Sequence, residues 1–341
     1  MRIAVTGSTG LIGSALTRSL HAEGHEVLRL VRRPAAADDE VAWDPRGGHV
    51  DTAGLLGCEA VVHLAGAGVG DHRWTRKYKR ELRDSRVLGT RTLTRALAGM
   101  ATPPRVLVAG TAIGYYGDTG SRAVDESAPA GDGFLAELCQ EWEAAARPAE
   151  DAGIRTVFAR TGLVVARGGG AWGRLFPLFR AGLGGRLGDG RQFWSHIALH
   201  DQVAALRFLL DAEALAGPVN LTAPQPATNR EVTAAMGRVL QGRRRSRCRR
   251  RCCGSLSASS PGTCWAASGY CRAGCSTPGS ASRSRAWRTR SAAPPDPARA
   301  RRAEARPGGA VRERRPGRHA SGRPLRDVPP RGHTPNARTR V

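Results

Sequence analysis

The N-terminal segment, residues 1–31, limits the fold of this chain more than any other segment does. Arg2–Thr6 is a short apolar run with the length of a buried strand, and Ser14–Ala22 has apolar residues at helical spacing, with Gly24 beyond its end. The apolar run His25–Val31 predicts a second strand. A strand, a helix and a strand in this order indicate an α/β chain, with a doubly wound parallel sheet flanked by helices.

The turn between the first strand and the helix carries three glycines, spaced three residues apart. They permit the turn, let backbone N–H groups approach a pyrophosphate, and let the helix pack closely on the strand, while the helix N-terminus favours the anion. A bare glycine pattern often marks only a tight turn, but this one follows a strand, opens a helix and leads into a second strand. We therefore predict a dinucleotide-binding turn made of Gly7, Ser8, Thr9, Gly10, Leu11, Ile12 and Gly13.

The end of the second strand bears on which dinucleotide binds. An acidic residue about 20 positions past the glycines would hydrogen-bond the ribose 2′-OH of NAD. Arg32, followed by Arg33, occupies that place, and an arginine there suits the 2′-phosphate of NADP. The alternative is a solvated pair of surface arginines. The sequence favours NADP(H) as the cofactor.

Charge is distributed very unevenly along the chain. The net charge of +24 invites a nucleic-acid interpretation, but Arg243–Val341 alone holds 25 arginines against four acidic residues. Residues 1–242 are nearly neutral and long enough for a sizeable core. Only Cys58 and Cys139 of the eight cysteines precede the arginine-rich segment that starts at Arg243, which favours a reducing, cytoplasmic location. No segment has the ~18 apolar residues that a membrane span needs.

Three explanations compete for the basic segment: a nucleic-acid-binding arm, a metal site, or an out-of-frame reading. The segment lacks lysine, and its cysteines do not form the paired spacing of a four-ligand zinc site. Its excess of Arg, Ala, Gly, Pro, Ser and Cys is typical of GC-rich DNA read in the wrong register. Back-translation shifted by one base allows helix-like apolar periodicity. We predict a frameshift near Gln241–Gly242, no metal, a disordered tail over 242–341, and only unselected, salt-sensitive nucleic-acid affinity.

Several ordered motifs carry a family resemblance over roughly residues 1–240. The chain resembles the extended short-chain dehydrogenase/reductases, and more narrowly the atypical epimerase family of NAD-dependent epimerase/dehydratase-like proteins. The motifs are Trp43-Asp44-Pro45, Arg73-Trp74, Ser85-Arg86 with Gly89-Thr90, Gly114–Gly117, Phe134–Glu143, Gly184–Ile197 and Gly217–Glu231. The resemblance implies a Rossmann-like NADP(H)-binding domain over 1–165 and a small, truncated substrate-binding portion over 166–241.

Further cofactor contacts are expected where a third apolar strand ends. Glu59–Gly66 is an apolar run that ends in small residues, which would let a cofactor lie against it; the alternative is a plain buried strand. We assign cofactor contacts there to His63, Leu64, Ala65 and Gly66, and, by the resemblance, to Arg86.

The superfamily's usual chemistry needs a Tyr and a Lys one helical turn apart, with a nearby Ser or Thr that holds the substrate oxygen. Leu135 and Cys139 stand at the Tyr and Lys positions, and the narrower family characteristically lacks the pair. Thr111 can supply the hydroxyl, and Tyr116, at a strand end, is the candidate for proton transfer; core packing is the alternative for Tyr116. Weaker candidates are Glu137, Cys139, His196, His200 and Asp201, the last of which is expected to cap a helix.

A glycine-rich run after residue 165 suggests a mobile lid over an apolar patch that includes Trp172. Arg174 and Arg191 beside aromatics could bind an anionic small-molecule substrate, although a packed helix with solvated arginines explains them equally well. The leading expectation is an NADP(H)-dependent oxidoreductase or epimerase-like enzyme. The rivals are a non-catalytic NADP(H)-binding or redox-sensing protein and, more remotely, a nucleic-acid binder.

Overall fold

A computed structural model describes residues 1–240. The predictions that residues 242–341 are out of frame and disordered concern residues outside this range. Strands and helices follow the chain as β1 Arg2–Thr6, α1 Leu11–Ala22, β2 Glu26–Val31, β3 Glu40–Asp44, β4 His49–Val50, β5 Ala60–His63, α2 Arg76–Ala98, β6 Val106–Ala112, α3 Phe134–Ala144, α4 Arg147–Asp151, β7 Arg155–Thr161, β8 Leu163–Val165, α5 Gly170–Arg180, β9 Phe193–Trp194, β10 His196–Ala198, α6 Leu199–Asp211, β11 Gly217–Leu221, β12 Ala227–Thr228 and α7 Asn229–Val239.

Within residues 1–240, eight strands form one sheet in the order β11-β7-β6-β5-β1-β2-β3-β4. All neighbouring pairs are parallel except β3 with β4, which is antiparallel. The chain builds outward from β1 through β2 and β3, and then resumes on the other side of β1 with β5. The predicted doubly wound sheet is confirmed, and its topological switch point lies between β1 and β5, where ligands bind in such folds.

Helices cover both faces of the sheet, as two separate apolar clusters show. On one face α1 and α6 pack their leucines, such as Leu16 and Leu206, against β1, β5 and β6. On the other face α2 and α4 contribute Leu93, Leu97 and Ala149. Fully burying a leucine stabilises the fold by about 1.5–3 kcal/mol. These clusters hold the carboxyl edge of the sheet in place.

A third apolar cluster joins α5, β9 and α7 away from the main sheet, around Trp172, Trp194 and Met236. Helix α7 begins with a capping box in which Thr228 accepts from the Glu231 backbone N–H and the Glu231 carboxylate accepts from Thr228. Strand β8 ends at Val165 and pairs with β10 rather than with the large sheet. The predicted domain boundary at residue 165 falls at this strand end and stays a prediction.

The start of helix α6 differs from the sequence prediction for Asp201. The chain enters it through Ala198, with no side chain capping its N-terminus, and the exposed Asp201 lies in the first turn beside His200. The expected capping role of Asp201 is therefore wrong. Within residues 1–240, no helix is long and apolar enough to cross a membrane.

Candidate functional site

A cavity of about 930 Å³ opens at the carboxyl edge of the sheet. Its walls come from the glycine-rich turn, the loop after β5, the ends of β6 and β7, the start of α3, and the start of α5. The lining includes Leu11, Arg86, Thr111, Cys139, Trp172 and Trp194. The cavity brings Leu11 and Ile12 of the predicted cofactor turn together with Arg86, Thr111 and Cys139.

The glycine-rich turn has the close packing that its sequence predicts. Gly7 has a φ of 66°, and a Cβ built on it would lie 2.9 Å from the Leu64 backbone carbon. A Cβ on Gly13 would lie 2.2 Å from the Gly7 carbonyl oxygen, so α1 can approach β1 only with glycine there. Gly10 precedes α1 without a side-chain cap, and its N–H donates to the Gly7 carbonyl at 2.9 Å.

The remaining turn residues divide into buried and accessible positions. Ser8 is buried, while Thr9 and Gly10 are exposed. Leu11 and Ile12 line the cavity. The start of α1, with its unpaired backbone N–H groups, therefore lies beside accessible space of the kind that a pyrophosphate occupies.

The two arginines after β2 have different surroundings. Arg33 donates to both carboxylate oxygens of Glu40 at 2.7 Å, and Arg29 pairs with Asp39. Arg32 is exposed and forms no ion pair or hydrogen bond among the described residues. Arg32 therefore remains available for an external anion, whereas Arg33 is already neutralised.

His63 is a structural residue, contrary to its assignment as a cofactor contact. Its side chain is fully buried, and its two ring nitrogens lie 2.8 Å from Thr6 Oγ1 and 3.0 Å from Thr90 Oγ1. Burial lowers the pKa of His63 to about 4, so the ring is neutral near pH 7. The ring joins β1 to α2 and has no surface left for a ligand.

The residues after β5 are held by the same threonine. Thr6 Oγ1 accepts hydrogen bonds from the backbone N–H groups of Leu64 and Ala65 at 3.0 and 3.1 Å. The N–H groups of Leu64 and Ala65 are therefore already hydrogen-bonded within the protein. Of Leu64, Ala65 and Gly66, only Gly66 is exposed. Cofactor contacts by Leu64, Ala65 and Gly66 stay predictions.

Arg86 is a buried cation on the cavity wall. Its guanidinium donates to the Ala67 carbonyl at 3.0 Å and lies 4.9 Å from the centre of the Trp142 ring. No carboxylate pairs with it among the described residues, and burial lowers its pKa below the ordinary arginine value. Such a cation attracts a ligand oxyanion, which supports its predicted place in the site.

The wall where Tyr and Lys would stand is apolar. A Cβ on Gly114 would lie 3.5 Å from Leu135 Cβ and 3.7 Å from Cys139 Sγ, so these side chains form one surface with the turn after β6. Burial raises the pKa of Cys139 to about 12, and its thiol is inert near pH 7. This wall supplies no acid or base.

Thr111 lies at the end of β6 and lines the cavity, as predicted for a residue that holds a substrate oxygen. Its hydroxyl donates to Glu143 Oε1 at 3.2 Å. Arg160 donates two further hydrogen bonds to the Glu143 carboxylate, at 2.8 and 2.7 Å. Because the Thr111 hydroxyl proton is used in the bond to Glu143, the hydroxyl can only accept a hydrogen bond from a ligand.

Sequence reasoning missed Glu143 and Arg160. Glu143 is the last residue of the family motif Phe134–Glu143, whereas Arg160, on β7, lies outside every motif named above. Neither position by itself reveals that the two side chains meet in the interior.

Tyr116 lies outside the cavity, which removes it from proton transfer. Its hydroxyl donates to Asn220 Oδ1 at 2.8 Å and accepts from Arg160 at 3.0 Å, and only 5% of the residue is exposed. Burial raises the pKa of Tyr116 above its usual value. The residue links β7 and β11 by hydrogen bonds, so its assignment as a catalytic residue is corrected to a structural role.

The weaker candidates lie apart from the cavity, with the exceptions of Cys139 and Arg174. Glu137, His200 and Arg191 are exposed, and the His196 ring nitrogen Nδ1 lies 3.1 Å from the Trp194 carbonyl. Arg174 lines the cavity and reaches across it to Asp71 at 3.5 Å. Within residues 1–240 no group of His, Cys, Asp and Glu could hold a metal ion.

A family model, the NAD dependent epimerase/dehydratase family, matches residues 3–221. The chain belongs to this family. A family member from Mycobacterium tuberculosis, epimerase family protein MT2273, is 50% identical over 240 residues, which is 70% of this chain and 78% of the relative. The human epimerase family protein SDR39U1 is 39% identical over 247 residues, covering 72% of this chain and 82% of the relative.

Solved structures of family members have the same fold. The crystal structure of human SDR39U1, isoform 2, contains NADPH and matches with a TM-score of 0.68 at 36% identity, covering 75% of this chain and 85% of that one. A nucleoside-diphosphate sugar epimerase from Corynebacterium glutamicum matches with a TM-score of 0.62 at 37% identity, covering 72% of this chain and 52% of that one.

Proposed function

We propose that the chain is an NADP(H)-dependent oxidoreductase or epimerase-like enzyme of the family branch without the Tyr/Lys pair, acting on a small molecule in the 930 Å³ cavity. The observation that carries the choice of cofactor is the contrast between Arg32, which is exposed and unpaired among residues 1–240, and Arg33, which is bound to Glu40. The NADPH in the human relative's structure supports the same choice.

The residues of the site fit this dinucleotide. The start of α1 and the turn Gly7–Gly13 would bind the pyrophosphate, and Arg32 would bind the 2′-phosphate. A bound nicotinamide supplies or accepts a hydride. Thr111 would accept a hydrogen bond from the substrate, while Leu135 and Cys139 would exclude water without exchanging protons.

Isothermal titration calorimetry of Arg32→Asp tests the cofactor choice. The parent should bind NADPH more tightly than NADH. The affinity of the variant for NADPH should fall by about tenfold or more, which corresponds to the loss of one charge-assisted hydrogen bond, while its affinity for NADH stays the same. Arg91→Asp makes the same charge change at an exposed position on α2 and should leave both affinities unchanged. Equal affinities of the parent for NADPH and NADH would rule out the role of Arg32.

A non-catalytic NADP(H)-binding or redox-sensing protein is the second candidate, favoured by the apolar wall at Leu135 and the inert Cys139 thiol. Both candidates predict cofactor binding, so only turnover separates them. A rise of reduced-nicotinamide absorbance when NADP⁺ is mixed with a panel of alcohols, whose hydroxyl groups can donate to Thr111, identifies an enzyme. Thr111→Ala should then lower kcat while the Kd for NADPH stays the same. Binding without turnover across the panel supports the sensor.

We also propose that the natural reading frame departs from the given one near codon 241. The similarity to the mycobacterial relative spans 240 residues, 70% of this chain, and leaves 22% of that relative unmatched. The strongly basic composition begins at Arg243. A cytoplasmic location is proposed on the two free cysteines, Cys58 and Cys139, of the described residues.

A further inference from the structure

Arg86, on α2, is a cavity-lining arginine whose guanidinium is only partly used by the protein. The residue is 8% exposed, and its Nη1 donates to the carbonyl oxygens of Ala67 and Leu82 at 3.0 and 3.2 Å. Nε and Nη2 donate to no group among residues 1–240, and neither atom is completely buried. Because Arg86 lines the cavity, its Nε–Nη2 edge is open to a ligand there.

The Nε–Nη2 edge binds carboxylates elsewhere in this protein. Arg160 donates from Nε and Nη2 to the two oxygens of Glu143, and Arg29 donates from the same two atoms to Asp39 at 2.7 and 2.9 Å. The two parallel N–H groups of this edge match the two oxygens of a carboxylate. In the described part of the chain, Arg86 has no such counter-ion, and a buried charge without a partner is costly. A ligand carboxylate would supply the missing partner.

Two consecutive residues of α3 hold Arg86 and Thr111 in place. The centre of the Trp142 ring lies 4.9 Å from the guanidinium carbon of Arg86. The next residue, Glu143, accepts the hydroxyl proton of Thr111 at 3.2 Å. Arg86 and Thr111 both line the cavity. One helical segment thus positions a cation and a hydroxyl that can only accept a hydrogen bond from a ligand.

The surface around these two groups is apolar and suits an aromatic ligand. Trp74 and Phe134 line the cavity and pack edge to face, with ring centroids 5.6 Å apart, and Leu135 follows on α3. A ligand bound between Arg86 and Thr111 can therefore place a ring against this surface.

We propose that Arg86 binds the carboxylate of an aromatic hydroxy acid whose hydroxyl group donates to Thr111, an assignment that rests on the proposed function because it names the substrate class of the NADP(H) site. Arg86 then serves the substrate rather than the cofactor. The two anionic groups of the cofactor already have other partners in the proposed function, the start of α1 for the pyrophosphate and Arg32 for the 2′-phosphate.

Calorimetry on the full chain saturated with NADPH, which cannot oxidise an alcohol, tests the role of Arg86. The probes are mandelate and 3-hydroxy-3-phenylpropanoate, each compared with its neutral amide. At least one acid should bind about tenfold or more tightly than its amide, because the amide cannot accept two charge-assisted hydrogen bonds. Arg86→Lys keeps the charge but removes the paired N–H groups, and should weaken that acid about tenfold while leaving the amide unchanged. Arg83→Lys, the same replacement on α2 at a side chain that is 43% exposed, is the matched control and should change neither.

The hydroxyl contact has its own test. Thr111→Val keeps the shape of the side chain but removes the acceptor, and should weaken the hydroxy acid by about two- to tenfold. Phenylacetate, which has no hydroxyl group, should bind the parent and this variant equally well. An equal loss for phenylacetate would show that Thr111 does not bind the substrate hydroxyl.

The role of Arg86 is refuted if neither acid binds more tightly than its amide, or if Arg86→Lys and Arg83→Lys have equal effects. Tighter binding of phenyl phosphate than of both acids would identify the ligand group as a phosphoryl group and overturn the carboxylate assignment. NADPH affinity and the melting midpoint are measured for every variant. If Arg86→Lys does not fold, the comparison of acid with amide in the parent chain decides.

The NADPH titrations separate this inference from the proposed function. If Arg86→Lys weakens NADPH but not the acid, Arg86 binds the cofactor, and the substrate assignment fails while the proposed function stands. If the parent chain does not bind NADPH at all, the proposed function fails, and the acids and amides titrated without cofactor still test whether Arg86 binds a carboxylate.

Discussion

The ion pair between Glu143 and Arg160 should be the most stabilising charged contact of the candidate site. The side chains of Glu143 and Arg160 are only 11% and 4% exposed, and two short hydrogen bonds join them. Glu143→Gln keeps the shape but leaves the Arg160 charge buried without a counter-ion. Losing one partner of a buried pair destabilises a protein by about 3–5 kcal/mol. The Tyr115 ring, 3.5 Å from the Arg160 guanidinium carbon, retains part of the stabilisation, so we expect about 3 kcal/mol.

Urea denaturation followed by circular dichroism measures the loss in the free energy of unfolding. In thermal unfolding, the melting midpoint of Glu143→Gln should fall by about 6–12 °C. Glu141→Gln is the matched control on the same helix. Glu141 pairs with Arg83 at 2.9 Å, but both side chains are more than 40% exposed, so its loss should be at most about 1 kcal/mol. Equal destabilisation by the two replacements would refute the buried pair as the anchor of the site.

Three further predictions follow from the same contacts. The folded-state pKa of His63 is about 4, below its ordinary 6.5, so the protein takes up a proton on unfolding between these two pH values. The free energy of unfolding should therefore be highest above pH 6.5 and fall by about 3 kcal/mol as the pH drops to 4. The His63→Gln variant should show a flatter dependence of stability on pH in this range. Tyr116→Phe should lower the melting midpoint and leave NADPH affinity unchanged; a selective loss of NADPH binding would return Tyr116 to the site. Restoring the frame near codon 241 should raise the melting midpoint and its response to NADPH; an unchanged midpoint counts against the frameshift.

Local patterns predicted the parts of the molecule that depend on neighbouring residues. The strand, glycine-rich turn and helix at the N-terminus were predicted because a short apolar run, glycine spacing and the helical spacing of apolar residues are local properties. Helix α1 begins at Leu11 rather than at the predicted Ser14, since the last glycine of the turn, Gly13, is already helical. The missing Tyr/Lys pair at Leu135 and Cys139 was also readable, because both positions lie on one predicted helix.

Tertiary placement decided what sequence reasoning got wrong. Tyr116 follows a strand end, but the 3₁₀ turn Ile113–Tyr116 directs its hydroxyl to β11, 104 residues later in the chain. His63 stands at a strand end near the expected cofactor, yet its ring turns inward because Thr6 and Thr90 satisfy both nitrogens.

A crystal structure of the full chain with NADPH tests the central claim most directly. We predict the pyrophosphate over the turn Gly7–Gly13 at the start of α1, with the 2′-phosphate within hydrogen-bond distance of Arg32. Thr111 should still donate to Glu143 and face the bound ligand with its lone pairs. NADPH bound away from the glycine-rich turn, or a 2′-phosphate held by other residues while Arg32 stays in solvent, would contradict the account.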